Sequence, residues 1–224
     1  MINPFTGILF DFDGTLVPNL DLPALKRGVI EFTVKYGVPR EEVEDKYIIE
    51  LVDHAAEWLR QRDADADRYH QFANQIILDA EIEAAARTTL FPGVEEVFRH
   101  VRAKNIRTGI VTRNCEKAVK MMFGDVHDYC DALVARDHVE ALKPDKRHMQ
   151  LCLDMIGCQA LDVAMVGDGA SDMQAGKTMG MFCIGVLTGS SDRSRLIDAG
   201  ADLVLDHVTQ LVEIEMARPR GSGA

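Results

Sequence analysis

Two aspartates one residue apart, Asp11 and Asp13, end an apolar run, Ile8-Leu9-Phe10, and are followed at once by Gly14-Thr15. Carboxylates this close repel each other, so they need a shared proton or a cation between them. On its own the pair also fits a turn, because Asp-Gly is a common turn dipeptide. Three later segments weigh against a bare turn. The run Ile106-Arg107-Thr108-Gly109-Ile110-Val111 ends in a hydroxyl, Thr112, with Arg113 and Asn114 after it. Ala141-Leu142-Lys143-Pro144-Asp145 places a lone lysine in a loop ahead of a helical stretch. Val163-Ala164-Met165-Val166 is followed by Gly167-Asp168, with a further acid at Asp172. Paired acids at two such run ends, with a lysine and a hydroxyl, point to a metal-assisted active site.

The elements that position these residues follow from the apolar pattern. Runs such as Ile8–Phe12 and Val163–Val166 have no polar alternation, as in strands of a parallel sheet covered by helices on both faces. In such sheets ligands bind at the carboxyl ends of the strands, where both pairs of acids fall. Further strands are expected at Ala132–Ala135, Phe182–Val186 and, at an edge, Ala201–Asp206. Helices are expected over Arg147–Ile156 with a Gly157 stop, over Ser171–Met179 before Gly180, and over Leu196–Ala199. Thr188-Gly189-Ser190-Ser191 has the composition of a flexible loop. Residues from about Val17 to Thr89 are instead almost continuously helical in pattern. Pro23–Tyr36 reads as one helix with Gly37 as its stop. Pro39-Arg40-Glu41-Glu42-Val43-Glu44 reads as the opening of the next, with Pro in the first turn and acids at the positive end. A polar break at Asp63–Asp67 precedes a last helix through Tyr69, Phe72, Ile76, Ile77 and Ile82.

Taken in order, Asp-x-Asp-Gly-Thr, Thr, Lys-Pro and Gly-Asp-x-x-x-Asp resemble the motifs of the haloacid dehalogenase (HAD) superfamily. The resemblance covers nearly the whole chain and is nearest to helical-cap phosphatases of the phosphoglycolate phosphatase type. It implies a Rossmann-like, doubly wound α/β core over residues 1–16 and 90–217, and an inserted α-helical cap over 17–89. It also implies Mg2+-dependent hydrolysis of a small phosphorylated metabolite, with 2-phosphoglycolate the first substrate to consider. By the same resemblance Asp11 is the nucleophile and Asp13 the general acid and then base. Thr112 and Lys143 bind the phosphoryl group, and Gly14, Thr15, Arg113 and Asn114 are further substrate-binding candidates. Asp11, Asp13 through its main-chain carbonyl, Asp168 and Asp172 are the metal ligands. The acid at Asp13 argues for phosphoester hydrolysis, since dehalogenases of the superfamily lack it. A sugar phosphomutase of the β-phosphoglucomutase type would keep all four motifs. A binding protein that retains the fold without the chemistry is the remaining alternative.

Composition sets the outer bounds. With 47% hydrophobic and 27% charged residues the 224-residue chain has the make-up of a soluble globular protein, able to bury one good core and a smaller satellite. A net charge of −11 disfavours nucleic acid or an anionic membrane as partner. No apolar run is long enough to span a bilayer, and Met1–Gly7 lacks the pattern of a signal peptide, so the expected location is cytoplasmic, as a monomer or homodimer. The five cysteines are odd in number and show no metal-like pairing; Cys115, just after Thr112, is the one thiol expected near the site. His54, Trp58, Arg60, Arg62 and Lys26 are the helical-region residues with the polarity to meet a substrate. The segment 218–224 has no apolar anchor and is expected to be mobile.

Overall fold

Each apolar run becomes a strand of a single sheet. The computed structural model describes residues 5–214; the expected mobile tail at 218–224 lies outside them. The strands are β1 (Gly7–Phe10), β2 (Arg107–Val111), β3 (Ala132–Val134), β4 (Val163–Gly167), β5 (Phe182–Val186) and β6 (Leu203–Leu205). Their spatial order is β3-β2-β1-β4-β5-β6, and every neighbouring pair is parallel. The α-helices are α1 (Leu22–Lys35), α2 (Ile48–Arg60), α3 (Ala66–Ala85), α4 (Val94–Ala103), α5 (Glu116–Met122), α6 (Val126–Tyr129), α7 (Lys146–Ile156), α8 (Ala170–Thr178) and α9 (Arg193–Asp198). This is the expected doubly wound α/β architecture.

Successive residues of β1 feed opposite faces of the sheet. Leu9 joins Val111 and Met165 in a cluster with Met149, Cys152 and Leu153 of α7, Met173 of α8 and Leu196 of α9. Phe10 points the other way, its ring centroid 5.0 Å from that of Phe98 on α4. All four residues of β1 are buried, which explains why its sequence shows no polar alternation. Gly109 permits the close approach of α7: a Cβ there would stand 2.3 Å from Cys152 Sγ.

The chain forms two compact units. The first contains the sheet and comprises residues up to Asn19 and from Ala85 onward; the second is the helical segment Leu20–Ala84. In the helical unit, Asp21 Oδ1 accepts from the Ala24 N–H at 2.9 Å, starting α1 one residue before Pro23 in its first turn. Gly37, at φ +94°, ends the helix as expected. The expected helix opening at Pro39 is corrected: Arg40–Glu42 makes only a 3-10 turn, and α2 begins at Ile48. Val43 is the reason. It is fully buried with Val38, Leu51 and Val52, and placing it there turns the chain after one turn, against local helix preference. Tyr69, also fully buried, keeps its hydroxyl satisfied. Thr33 Oγ1 donates to the Val29 carbonyl at 2.7 Å, so Tyr69 donates to Thr33 Oγ1 at 2.8 Å. Among the described residues no helix is long and apolar enough to cross a membrane.

Candidate active site

The three central strands deliver their acids and hydroxyl to one edge of the sheet. Asp11 follows β1 directly, and its N–H makes a last ladder bond to the Val166 carbonyl at 2.8 Å. Thr112 follows β2 and donates its N–H to the Val134 carbonyl at 3.0 Å; Asp168 follows β4. From β3 to β4 the chain passes from one side of β1 to the other, so the acids stand at the switch point of the doubly wound sheet.

Lys143 and Asp172 complete the cluster from opposite directions. Lys143, in the loop before α7, is 1% exposed, and its Nζ lies 2.6 Å from Asp11 Oδ1 and 2.6 Å from Asp172 Oδ1. Asp172 sits in the first turn of α8, where its Oδ2 also accepts from the Gly169 N–H at 3.0 Å. One oxygen from each of Asp11, Asp168 and Asp172 lies within 4.8 Å of the others. Burial pushes the Asp11 and Asp168 carboxyls above the usual aspartate range, Lys143 working against this at Asp11 and the Asp172 charge adding to it at Asp168. Asp172 is pushed up to about 6, by burial and then by Asp11. Burial pulls the Lys143 ammonium down, yet the two carboxylates against it outweigh that and hold its pKa above the ordinary lysine value.

Among the described residues three buried carboxylates stand beside one ammonium, with an oxygen of each within 4.8 Å of the others. Carboxylates gathered this closely call for a proton or a cation. The donors are all hard oxygens, the preference of Mg2+, so the residues present fit a divalent ion.

Asp13 lies outside this cluster. Its half-buried carboxylate is held by Asn114 Nδ2, 3.0 Å from Oδ1 and 3.1 Å from Oδ2, with Thr112 Oγ1 3.5 Å from Oδ2. Asn114 also donates its N–H to Thr112 Oγ1 at 3.0 Å and accepts from the Cys115 N–H through Oδ1 at 2.8 Å. Gly14, at φ +77°, donates its N–H to Val17 and accepts from Thr188 Oγ1 at 2.6 Å. Thr15, next in the chain, has a fully buried side chain, with no hydrogen-bond partner for Oγ1 among the described residues. Arg113 is half-buried, its carbonyl accepting from Arg136 Nη1 at 3.1 Å. Cys115 has a structural use, its Sγ accepting from the Ala118 N–H at 3.4 Å as the cap of α5.

Two features were not legible as parts of the site. The Thr188–Ser191 loop, expected to be flexible, is tied down: besides Thr188, the Ser190 N–H donates to Asp168 Oδ2. Gly189 allows that approach, since a Cβ there would meet Asp168 Oδ2 at 2.0 Å. His148 is the other. Fully buried on α7, it accepts from the Lys143 N–H through Nδ1 at 3.2 Å and donates from Nε2 to the Val134 carbonyl at 3.2 Å. The neutral ring thus pins the lysine loop to the end of β3. Burial, then the Lys143 charge, push its pKa down to about 3. The unfolded chain therefore binds a proton there that the folded chain refuses, and stability falls as pH drops from about 6.5 towards 3, at up to ~1.4 kcal/mol per pH unit. The His148→Gln protein is expected to lose that part of the acid slope when urea midpoints are measured against pH. An unchanged slope would show that the ring is protonated when folded.

The basic and aromatic candidates of the helical unit are engaged with neighbours in that unit. Lys26 Nζ donates to the Glu44 carbonyl at 2.7 Å, and His54 Nε2 lies 3.4 Å from Glu42. Arg60 pairs with Glu57 at 2.6 Å, and the Arg62 guanidinium stacks 3.7 Å above the Trp58 ring centroid.

Residues 8–186 match the haloacid dehalogenase-like hydrolase family. The chain is 27% identical over 217 residues to a phosphoglycolate phosphatase of Chromobacterium violaceum, covering 93% of this chain and 95% of that one. Among solved structures it resembles a hydrolase from Pseudomonas syringae, with a TM-score of 0.72 at 19% identity over 93% of this chain and 96% of that one. It also resembles a β-phosphoglucomutase from Clostridium difficile, with a TM-score of 0.67 at 18% identity over 92% and 93%. At such identities the two structures speak for the fold alone.

Proposed function

The chain belongs to the haloacid dehalogenase-like hydrolase family and is an enzyme of its phosphatase type; on that premise we propose that it hydrolyses a small phosphorylated metabolite, 2-phosphoglycolate first among candidates, with Mg2+ as cofactor. The observation that carries the reading is the Lys143 ammonium seated 2.6 Å from both Asp11 and Asp172, beside Asp168, at the ends of the central strands. Asp11 Oδ attacks phosphorus, and the ester P–O bond breaks with its electron pair going to the leaving oxygen. Asp13 delivers a proton to that oxygen. Water then attacks the aspartyl-phosphate, Asp13 takes a proton from it, and the Asp11 carboxylate is regenerated as phosphate leaves. Lys143 orients Asp11 and offsets charge on the transferring group, while the Thr112 hydroxyl and nearby N–H groups hold its oxygens.

Asp11, Asp168, Asp172 and the Asp13 carbonyl would hold the Mg2+, which when bound supplies further neutralisation of the phosphoryl oxygens. The helical unit Leu20–Ala84 is read as the substrate-selecting cap. The test is phosphate release from a panel of 2-phosphoglycolate, sugar phosphates and nucleotides. EDTA is expected to cut release by at least about a hundredfold, and excess Mg2+ to restore it. Release unaffected by EDTA would overturn the metal assignment. Interconversion of sugar phosphates without phosphate release would replace the hydrolase by a mutase, the reading that the β-phosphoglucomutase likeness keeps in view.

A further inference from the structure

We infer that Asn114 is the positioning residue for Asp13, the side chain that fixes the proton-transferring carboxylate in the plane the reaction needs. The inference rests on the reading of Asp13 as general acid and base. An aspartate side chain has two rotatable bonds, and proton transfer is sensitive to small misplacement. Asn114 Nδ2 removes that freedom by standing almost equidistant from both oxygens, at 3.0 and 3.1 Å. A donor centred on the carboxylate fork takes only one lone-pair direction on each oxygen.

Asn114 is itself held by burial and two hydrogen bonds. It is 6% exposed, its Oδ1 accepts from the Cys115 N–H at 2.8 Å, and its own N–H donates to Thr112 Oγ1 at 3.0 Å. The position of Asp13 is thereby set by the start of α5 and the end of β2, elements about a hundred residues away in sequence (114 − 13 = 101). Its neighbour Thr112 contributes only a 3.5 Å approach to Oδ2, too long to do the same work. The side chain expected to bind substrate thus also holds the proposed catalytic acid.

Leaving groups separate positioning from a general structural role. An acid that protonates the leaving oxygen matters little for p-nitrophenolate, a stable anion, and much for phenolate. For Asn114→Ala, kcat/KM is expected to fall about a hundredfold on phenyl phosphate and only a few-fold on p-nitrophenyl phosphate. Asn114→Asp keeps the oxygen that accepts from Cys115 and replaces the amide donor by a carboxylate that repels Asp13, so it is expected to show the same leaving-group-dependent loss with the bond to Cys115 kept. Equal losses on both substrates for Asn114→Ala, or an Asn114→Asp enzyme that behaves as wild type, would overturn the inference and leave Asn114 a brace for the turn before α5. Asp13→Asn in the same assay tests the underlying reading separately. A leaving-group-dependent loss there with none in the Asn114 variants sinks the inference alone. A loss in Asp13→Asn that ignores the leaving group sinks the general-acid reading with it.

Discussion

Asp11→Asn is expected to reduce phosphate release by at least about 10⁴-fold while making the metal-free protein more stable. The activity loss follows from chemistry: an amide oxygen does not form the acyl phosphate through which the proposed route passes. The stability gain follows from the site's electrostatics. The folded pKa of Asp11 lies above its unfolded value, chiefly through burial, so the folded state favours the neutral form. Its extra proton affinity favours folding only at acid pH; once pH rises through the folded pKa, the buried charge costs stability. Asparagine has the same shape and no charge, and it leaves Asp172 as a partner for Lys143. Thermal unfolding in EDTA at pH 7 and a single-turnover phosphate assay check the two halves. A melting point below that of wild type would mean that the Lys143–Asp11 pair outweighs desolvation. Retained turnover would remove Asp11 as nucleophile.

Lys143→Met should do the opposite to stability and less harm to activity. The side chain is fully buried, and its ammonium is the positive group placed between Asp11 and Asp172. Its removal strands two buried carboxylates, a loss of about 3–5 kcal/mol in comparable buried networks. At this chain length each kcal/mol is worth roughly 2–4 °C, so a fall of the order of 10 °C is expected. The loss should shrink as pH falls through about 6, where Asp172 already begins to take up its proton in the intact protein. Turnover should drop by about 10²–10³-fold, as when one charge-stabilising donor is removed from an active site. Adding Asp172→Asn should restore part of the stability and none of the turnover. If Lys143→Met melted like the wild type without metal, the buried ion network would have no energetic role.

The acids and the lysine were legible because their chemistry conflicts with their surroundings. Carboxylates directly after runs such as Ile8–Phe10 and Val163–Gly167 have no reason to be there unless a charge partner waits at the strand ends. The sheet was legible for a related reason: strands buried on both faces announce themselves by unbroken apolar sequence. What depends on side-chain direction was not. Asn114 reaches Asp13, and His148 reaches the Lys143 backbone, only because parallel pairing sets the ends of β1, β2 and β3 side by side. Thr15 follows Gly14 in the motif, yet the turn at Gly14 sends its side chain inward. Val43 broke a good helix signal because its burial is a property of the assembled helical unit, invisible in the Pro39–Glu44 segment that seemed to open a helix.

The central place of β1 has a consequence for how the protein is made. Its partners begin 100 and 156 positions further along the chain (Gly7↔Arg107 and Gly7↔Val163). At ribosomal speeds of about 5–20 residues per second, β1 waits roughly 8–30 s after emerging before β4 exists to pair with it. The helical unit Leu20–Ala84 closes its own core within 65 consecutive residues (84 − 20 + 1) and faces no such delay. An apolar strand left open for that long is bait for chaperones and for other nascent chains. The proposed nucleophile is thus seated late, by a strand that the ribosome delivers about 150 residues after it.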